Sequence, residues 1–503
     1  MNPHVSFGLL NYVTLAGYLL GTLALGLWFT RRNKTTNQYF KAGGSIPWWV
    51  VGISLSNVSS ISYMSIPAKA FAEDWTVAFV NLPILLVIPV VVVVFLPLFR
   101  SLKTASAYEY LERRFSLGVR LYGSAAFVLF QVSRMAVVIY MPALALAAVT
   151  DLDIYACILL IGALSAIYSA FGGMSGVVWT DFAQTIFLIG AAVLAFILIV
   201  VRVDGGLGTL IDTAAAANKF KLVRLDGDFT TNALWVVVIG SIFSLTVPYV
   251  SDQSMIQRYM TTTDLAACRR ALWVNAALAV VNTFSFLAVG TAIYVYYTFN
   301  PKNLSGLPRN DAILPFFISR ELPAGVAGLV VAGIFAAAQS AISTSLSSTS
   351  TALVTDFLQR LGPKRSDHQW LRTAQWLTAC LGVVAVALAA VLAKVGIGSA
   401  FDAFQGILGL TTGGLAGVFL LGIFFRRANA RGAWAGIVAS GIILVLVQRL
   451  TKTHVYLYAL VGIVACVIVG YLVSCFGAPA SPPPASVAAR NDEPDVTTAK
   501  GLS

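Results

Sequence analysis

The segment Trp48–Pro67 reads WWVVGISLSNVSSISYMSIP. Its ends are apolar enough for a membrane span. Its middle is not: Ser54, Ser56, Asn57, Ser59, Ser60, Ser62 and Ser65 crowd it, with Gly52 upstream and Pro67 at the end. Ser and Asn side chains compete for backbone hydrogen bonds, so they favour helix ends over helix interiors. The pattern predicts a helix broken near the middle of the membrane. Irregular backbone at that depth is tolerated only where it lines a cavity, and there freed amides face anions and freed carbonyls hold cations. Five spans later, GSIFSLTVPYVSDQ (residues 240–253) reads as interrupted by Pro248. Two interrupted spans five apart are what a five-plus-five inverted repeat produces. In that scheme the span carrying Arg134 corresponds to a hydroxyl-rich span near 323–355.

The rest of the chain fits a membrane setting. It has 503 residues, 58% hydrophobic and only 11% charged, against about 25% charged in soluble proteins. Thirteen apolar spans are expected, near 8–30, 46–70, 76–99, 119–149, 153–171, 177–202, 233–257, 271–298, 323–355, 370–394, 400–425, 432–449 and 455–476. The fold class is thus an all-α polytopic membrane protein. The net charge of +12 does not point to nucleic acid, because the basic residues sit between spans. Five scattered cysteines without a CxxC suggest neither a disulfide framework nor a zinc site. The loops at 31–45, 100–120, 258–270, 360–372 and 426–431, with the tail, hold most of the Lys and Arg. By the positive-inside rule they are cytoplasmic, which puts the N-terminus outside and the C-terminus inside. The expected organisation is an extra N-terminal span and loop (1–45), a ten-helix transport core (46–425), two additional spans (426–476) and a disordered Pro/Ala-rich tail (477–503).

Three polar features inside the spans carry chemistry. In FAAAQSAISTSLSSTST (Phe335–Thr351), Ser340, Ser343, Thr344, Ser347 and Thr351 recur at helical spacing and share one face. Small hydroxyl residues let membrane helices pack closely; hydroxyl oxygens also suit a hard cation such as Na⁺. Asp181, in GGMSGVVWTDFAQ, is the carboxylate that would favour the cation, or else a helix cap. Arg134, in FVLFQVSRMAVVIY, lies mid-span. A guanidinium there needs an anion, which is either a protein carboxylate or a substrate carboxylate held bidentately.

The segments SSISYMSIPAKAF, GGMSGVVWTDFAQ, SDQSMIQRYM and AGIFAAAQSAISTSLSS stand in the same order as signature segments of the sodium:solute symporter family. The chain resembles that family up to about residue 476. Through Arg134, IPAKAFAEDW and AAAQS it is most similar to the bacterial sialic acid symporters within it. The resemblance implies a leucine-transporter-type core, alternating access and coupling to inward Na⁺ flow across the plasma membrane, here a bacterial inner membrane. It implies a general Na⁺ site from the carbonyls of Val58 and Ala337 with Ser340 and position 341, plus a carbonyl of Leu55 or Ser56. It implies a second Na⁺ site from Asp181, Ser340, Ser343 and Thr344. For substrate, the matching positions are Ser59, Ser62, Asn81 and Arg134. The family often carries a serine where this chain has Ala341.

The function expected is Na⁺-coupled symport of a small organic anion, a sialic acid such as N-acetylneuraminate. The alternatives are another carboxylate, or a neutral sugar with Arg134 paired internally. A membrane-embedded enzyme is disfavoured, since HExxH, GxSxG and histidine clusters do not occur. A non-transporting receptor or channel is disfavoured to a similar degree. The expected partners are the anionic substrate, Na⁺ and the lipid bilayer, with no obligate protein partner.

Overall fold

The structure, a computed structural model, describes residues 7–56, 58–102, 105–147, 152–307, 310–395 and 413–476. The expected tail at 477–503 lies outside them. The described chain is helical throughout. The helices that position the site are α1 (Leu9–Trp28), α2 (Trp48–Leu55), α3 (Ser60–Ala72), α4 (Trp75–Leu102), α5 (Leu117–Ala147), α6 (Ile154–Arg202) and α7 (Leu234–Ser251). There follow α8 (Gln253–Tyr259), α9 (Leu265–Phe299), α10 (Val326–Leu361), α11 (Asp367–Val395), α12 (Gly413–Phe424), α13 (Ala430–Leu450) and α14 (Val455–Cys475).

Among the described residues, ten helices are long and apolar enough to cross a membrane. The expected count of thirteen differs from this in three places. The broken pair α2–α3 is too short in each half to count. The spans at 153–171 and 177–202 are two helical segments that meet at a kink at Gly173 and are counted together as α6. Of the span at 400–425, only Gly413–Phe424 is described.

Each break has a local cause. The chain leaves α2 after Leu55 and re-enters a helix at Ser60, where Ser59 caps α3 by accepting from the Ser62 amide (3.4 Å). Pro67 lies inside α3 and does not end it. The second interruption is not at Pro248, as the sequence suggested. Helix α7 runs through Pro248 and stops at Asp252, whose backbone is extended (φ −89°, ψ 118°). A proline costs one hydrogen bond, which a helix can absorb. Asp252 instead offers its carboxylate to the Ser254 amide (2.7 Å) and so starts α8. Within α6 the turn is at Gly173, at φ 55° and ψ −160°. That conformation is essentially confined to glycine.

Helix α10 is buried along nearly all of Val326–Ala352, packed against α5 and α6. Helices α3 and α9 run side by side. The Tyr63 and Phe286 rings meet edge to face at 5.2 Å. At Gly290 an added Cβ would lie 2.2 Å from the Pro67 carbonyl oxygen, so only glycine allows this approach. At one end of the bundle Arg120 holds two carboxylates, Glu112 (2.6 Å) and the buried Asp356 (2.7 Å). Ser106 donates to Asp356 (2.7 Å), and Arg360 pairs with Glu112 (2.7 Å). This network ties the start of α5 to the end of α10. The hydrogen bond from Arg360 holds the Glu112 carboxyl below the usual carboxylate range, so the pair stays ionised at neutral pH.

Candidate functional site

The break between α2 and α3 opens onto a cavity of about 300 Å³. Ser59, Ser62, Asn81 and Arg134, from three helical regions, all line it, and so do Asp252 and Asn275. Ser59 is there because it is the N-cap of α3, and its hydroxyl lies 3.5 Å from that of Ser62 one turn on. Asn81 sits in a turn of α4 and donates its amide to Thr283 Oγ1 (3.1 Å). Arg134 is half-buried, and its guanidinium has no ion pair or hydrogen bond among the described residues. Asp252 faces the same cavity beyond ion-pairing distance, held by the Ser254 amide and by Gln131 Nε2 (3.4 Å). The arrangement offers one unpaired cation, several neutral hydrogen-bonding groups and an apolar wall including Phe130 and Leu245. It suits an anion that also carries hydroxyl or amide groups.

A second cluster centres on Asp181, which is fully buried. Ser340 Oγ donates to its Oδ1 (2.9 Å), Ser343 Oγ to Oδ1 (3.3 Å) and Thr344 Oγ1 to Oδ2 (3.2 Å). The helical spacing read from the sequence brings these three hydroxyls to one carboxylate. Asp181 is therefore no helix cap: it sits in the second half of α6, eight residues past Gly173, and faces α10.

Two partners of Asp181 were missed. Ser54, at the end of α2, donates to Oδ2 (3.0 Å). Arg258, the one basic residue of SDQSMIQRYM, pairs with Oδ2 at 2.6 Å and also donates to Ser54 Oγ and Thr344 Oγ1. The loop reading at 258–270 counted Arg258 as a cytoplasmic surface charge. It is fully buried in α8. Its signal was present in that quoted segment, but only the fold shows that α8 turns it back toward α6. A carboxylate with three hydroxyls fits a hard cation. The Arg258 guanidinium already supplies positive charge there, so a cation would have to compete with it for the same oxygens.

Of the general-site positions, Val58 stands in the break before α3, outside any helix. Ala337, Ser340 and Ala341 are buried on α10. Leu55 and Ser56 close α2. Helix α10 packs against α3, the helix that begins two residues after Val58.

Gln131, one turn before Arg134 on α5, completes a link the sequence did not suggest. It accepts from Ser345 of α10 (2.9 Å) and donates to Asp252 in the cavity. The cavity and the hydroxyl helix are thus joined by one buried amide.

Two broken helices around a central cavity, with a buried carboxylate–hydroxyl cluster beside it, define a secondary transporter of the inverted-repeat type. The comparisons make this specific. A model of the sodium:solute symporter family matches residues 39–440, and the chain belongs to that family, whose members couple solute movement to Na⁺. It is 40% identical over 470 residues to the sodium/sialic acid symporter NanT of Aliivibrio fischeri, covering 93% of each chain. It is 38% identical over 478 residues to the sodium/sialic acid symporter SiaT of Proteus mirabilis, covering 94% of this chain and 96% of that one. Among solved structures it is similar to a substrate-bound, outward-open Na⁺-coupled sialic acid symporter. That match has a TM-score of 0.90 and 37% identity, and covers 95% of this chain and all of the other. These relatives are transporters, not enzymes, and the protein is a multi-pass membrane protein.

Proposed function

We propose that the protein imports a sialic acid together with Na⁺ by alternating access. The observation that carries this is Arg134: a mid-membrane guanidinium, unpaired among the described residues, facing a cavity with Ser59, Ser62 and Asn81. An unpaired charge at that depth is costly unless a ligand completes it. A substrate carboxylate does so, and Ser59, Ser62 and Asn81 meet its hydroxyl and acylamino groups. The relatives' transported solute has this chemistry. In this reading Asp181, Ser340, Ser343 and Thr344 hold one Na⁺. The carbonyls of Val58 and Ala337 hold another with Ser340, beside Ala341. The transport core is residues 46–425 in a bacterial inner membrane, with the N-terminus outside and the C-terminus cytoplasmic.

The test is uptake of labelled N-acetylneuraminate by proteoliposomes with and without a Na⁺ gradient, for wild type and Arg134→Lys. Lysine keeps the charge but loses the planar two-point grip. It should raise the substrate KM by roughly ten- to a hundredfold, the equivalent of about 1.5–3 kcal/mol for a charged hydrogen bond, at unchanged Na⁺ dependence. Wild-type KM in Arg134→Lys would remove the anion reading. One observation favours a second substrate class: Asp252 shares the cavity with Arg134. If the two close onto each other, the solute is a neutral sugar. Neutral hexoses that compete with N-acetylneuraminate for uptake would support that alternative.

A further inference from the structure

Behind the Asp181 cluster lies a second group of buried polar side chains that the transport reading does not use. Tyr18 of α1 donates to Gln339 Oε1 (3.0 Å). Tyr168, on α6 before its bend, donates to the Gln339 backbone carbonyl (3.1 Å). Gln184, after the bend, donates to the Tyr168 hydroxyl (3.4 Å). Gln184 and Gln339 are at most 1% exposed. Yet Gln184 Oε1 and Gln339 Nε2 have no hydrogen-bond partner among the described residues.

Buried polar atoms are almost always bonded, to protein or to ordered water. The two orphans here are one acceptor and one donor. A cation takes acceptors alone and is repelled by an amide N–H. A water molecule satisfies one of each. The place matters as much as the chemistry. Gln184 follows Asp181 by three residues and shares its helix face. Gln339 directly precedes Ser340, which donates to Asp181. The Tyr168 hydroxyl also lies beside Ser343. Helix α1 is tied to α10 at a second point, where Asn11 Oδ1 accepts from the amides of Gly325 (2.6 Å) and Gly328 (2.9 Å).

We propose that Tyr18 and Gln339 are positioning residues for the ion cluster. With Tyr168 and Gln184 they hold one water molecule and fix the turn of α10 that aims Ser340 and Ser343 at Asp181. The N-terminal helix α1, which adds to the ten-helix core, thereby sets the affinity for Na⁺. This rests on reading the Asp181 cluster as a Na⁺ site.

The experiment is a Na⁺ titration of N-acetylneuraminate uptake in proteoliposomes at fixed membrane potential. It compares wild type, Tyr18→Phe, Gln339→Met, their double variant, Asn11→Ala and Asp181→Asn. Tyr18→Phe keeps the ring against Phe187, 4.9 Å away, and removes only the hydroxyl. Tyr18→Phe and Gln339→Met should each raise half-saturation by Na⁺ roughly three- to tenfold, the effect of one lost polar contact. The substrate KM at saturating Na⁺ should not move. The double variant should be no worse than Gln339→Met alone, because both act through one network. Asn11→Ala removes the second tie of α1 to α10 and keeps the Tyr18–Gln339 bond, so it should leave the Na⁺ curve unmoved. An equal shift in Asn11→Ala would assign the effect to helix docking and overturn the proposal. Unmoved curves in Tyr18→Phe and Gln339→Met, with a displaced curve in Asp181→Asn, would overturn it and leave the Na⁺ site standing. No effect in Asp181→Asn would take down the site reading and this inference together.

Discussion

Asp181 and Arg258 form the one ion pair among the described residues in which both side chains are no more than 1% exposed. Removing one member of such a pair strands the other charge and costs about 3–5 kcal/mol. Arg258→Ala is therefore expected to lower the melting temperature sharply in Na⁺-free buffer. If a cation takes the same oxygens, Na⁺ should restore more stability to Arg258→Ala than it adds to wild type. Equal Na⁺ effects in both proteins would place the ion elsewhere. Ala341 tests the other expected site. A cation stripped of water needs several oxygens, and Ala341 supplies none from its side chain. Ala341→Ser adds one atom next to the expected ion position. It should lower the Na⁺ concentration for half-maximal uptake by several-fold, on the order of 1 kcal/mol for one polar contact. An unmoved titration curve would mean that residue 341 does not face the ion.

The bend in α6 links the two ends of the ion cluster's helix. Before it, Tyr168 reaches α10; after it, Asp181 does. Gly173 alone makes the bend. A Cβ there would lie 2.8 Å from the Tyr39 ring and 3.0 Å from Asn33 Nδ2, in a backbone conformation that side chains rarely adopt. Gly173→Ala should cost about 3 kcal/mol or more, combining about 1–3 kcal/mol of backbone strain with overpacking of similar size. The readout is yield of monodisperse protein and its melting temperature; a variant as stable as wild type would show that the bend can move. The broken pair α2–α3 follows a different logic. Most of its hydroxyls find partners: Ser59 caps α3, Ser60 donates to the Val138 carbonyl of α5 (3.0 Å), and Ser54 reaches Asp181 of α6. This is why a serine-rich stretch survives inside an apolar span. The hydroxyls of α10 divide into two sets. Ser340, Ser343 and Thr344 turn to Asp181, while Ser348 and Thr351 return their hydrogen bonds to their own helix (2.8 Å each).

For the molecule as a whole, substrate and ion sites on touching elements predict coupled binding. Ligand that binds only the folded state stabilises it by mass action. N-acetylneuraminate should raise the melting temperature of purified protein in Na⁺ buffer, and much less in choline buffer; an equal shift in both would uncouple the two sites. The helical class, the break near Ser56–Ser59 and the shared face of Ser340, Ser343 and Thr344 were legible in the sequence. Hydropathy and helical periodicity are local properties, and each of these features is written within one segment. That Arg134 needs an anion was legible too, because a guanidinium amid apolar neighbours cannot be satisfied by its own helix; that no described carboxylate pairs with it only the packed helices decide. The stop at Asp252 instead of Pro248 was harder to see, since a helix tolerates a proline when the next capping group lies one turn on. Arg258 and Lys219 mark the limit. Arg258 read as a loop charge for counting sides of a membrane, and Lys219 falls outside every expected span, yet Arg258 is buried on Asp181. Lys219 is 5% exposed, and its ammonium caps α3 by donating to the carbonyls of Phe71 (2.7 Å) and Glu73 (2.8 Å). Their partners lie 77 and about 146–148 residues away in the chain. Charge pairing acts through space, so which carboxylate or helix end a basic residue meets is decided only when the helices pack.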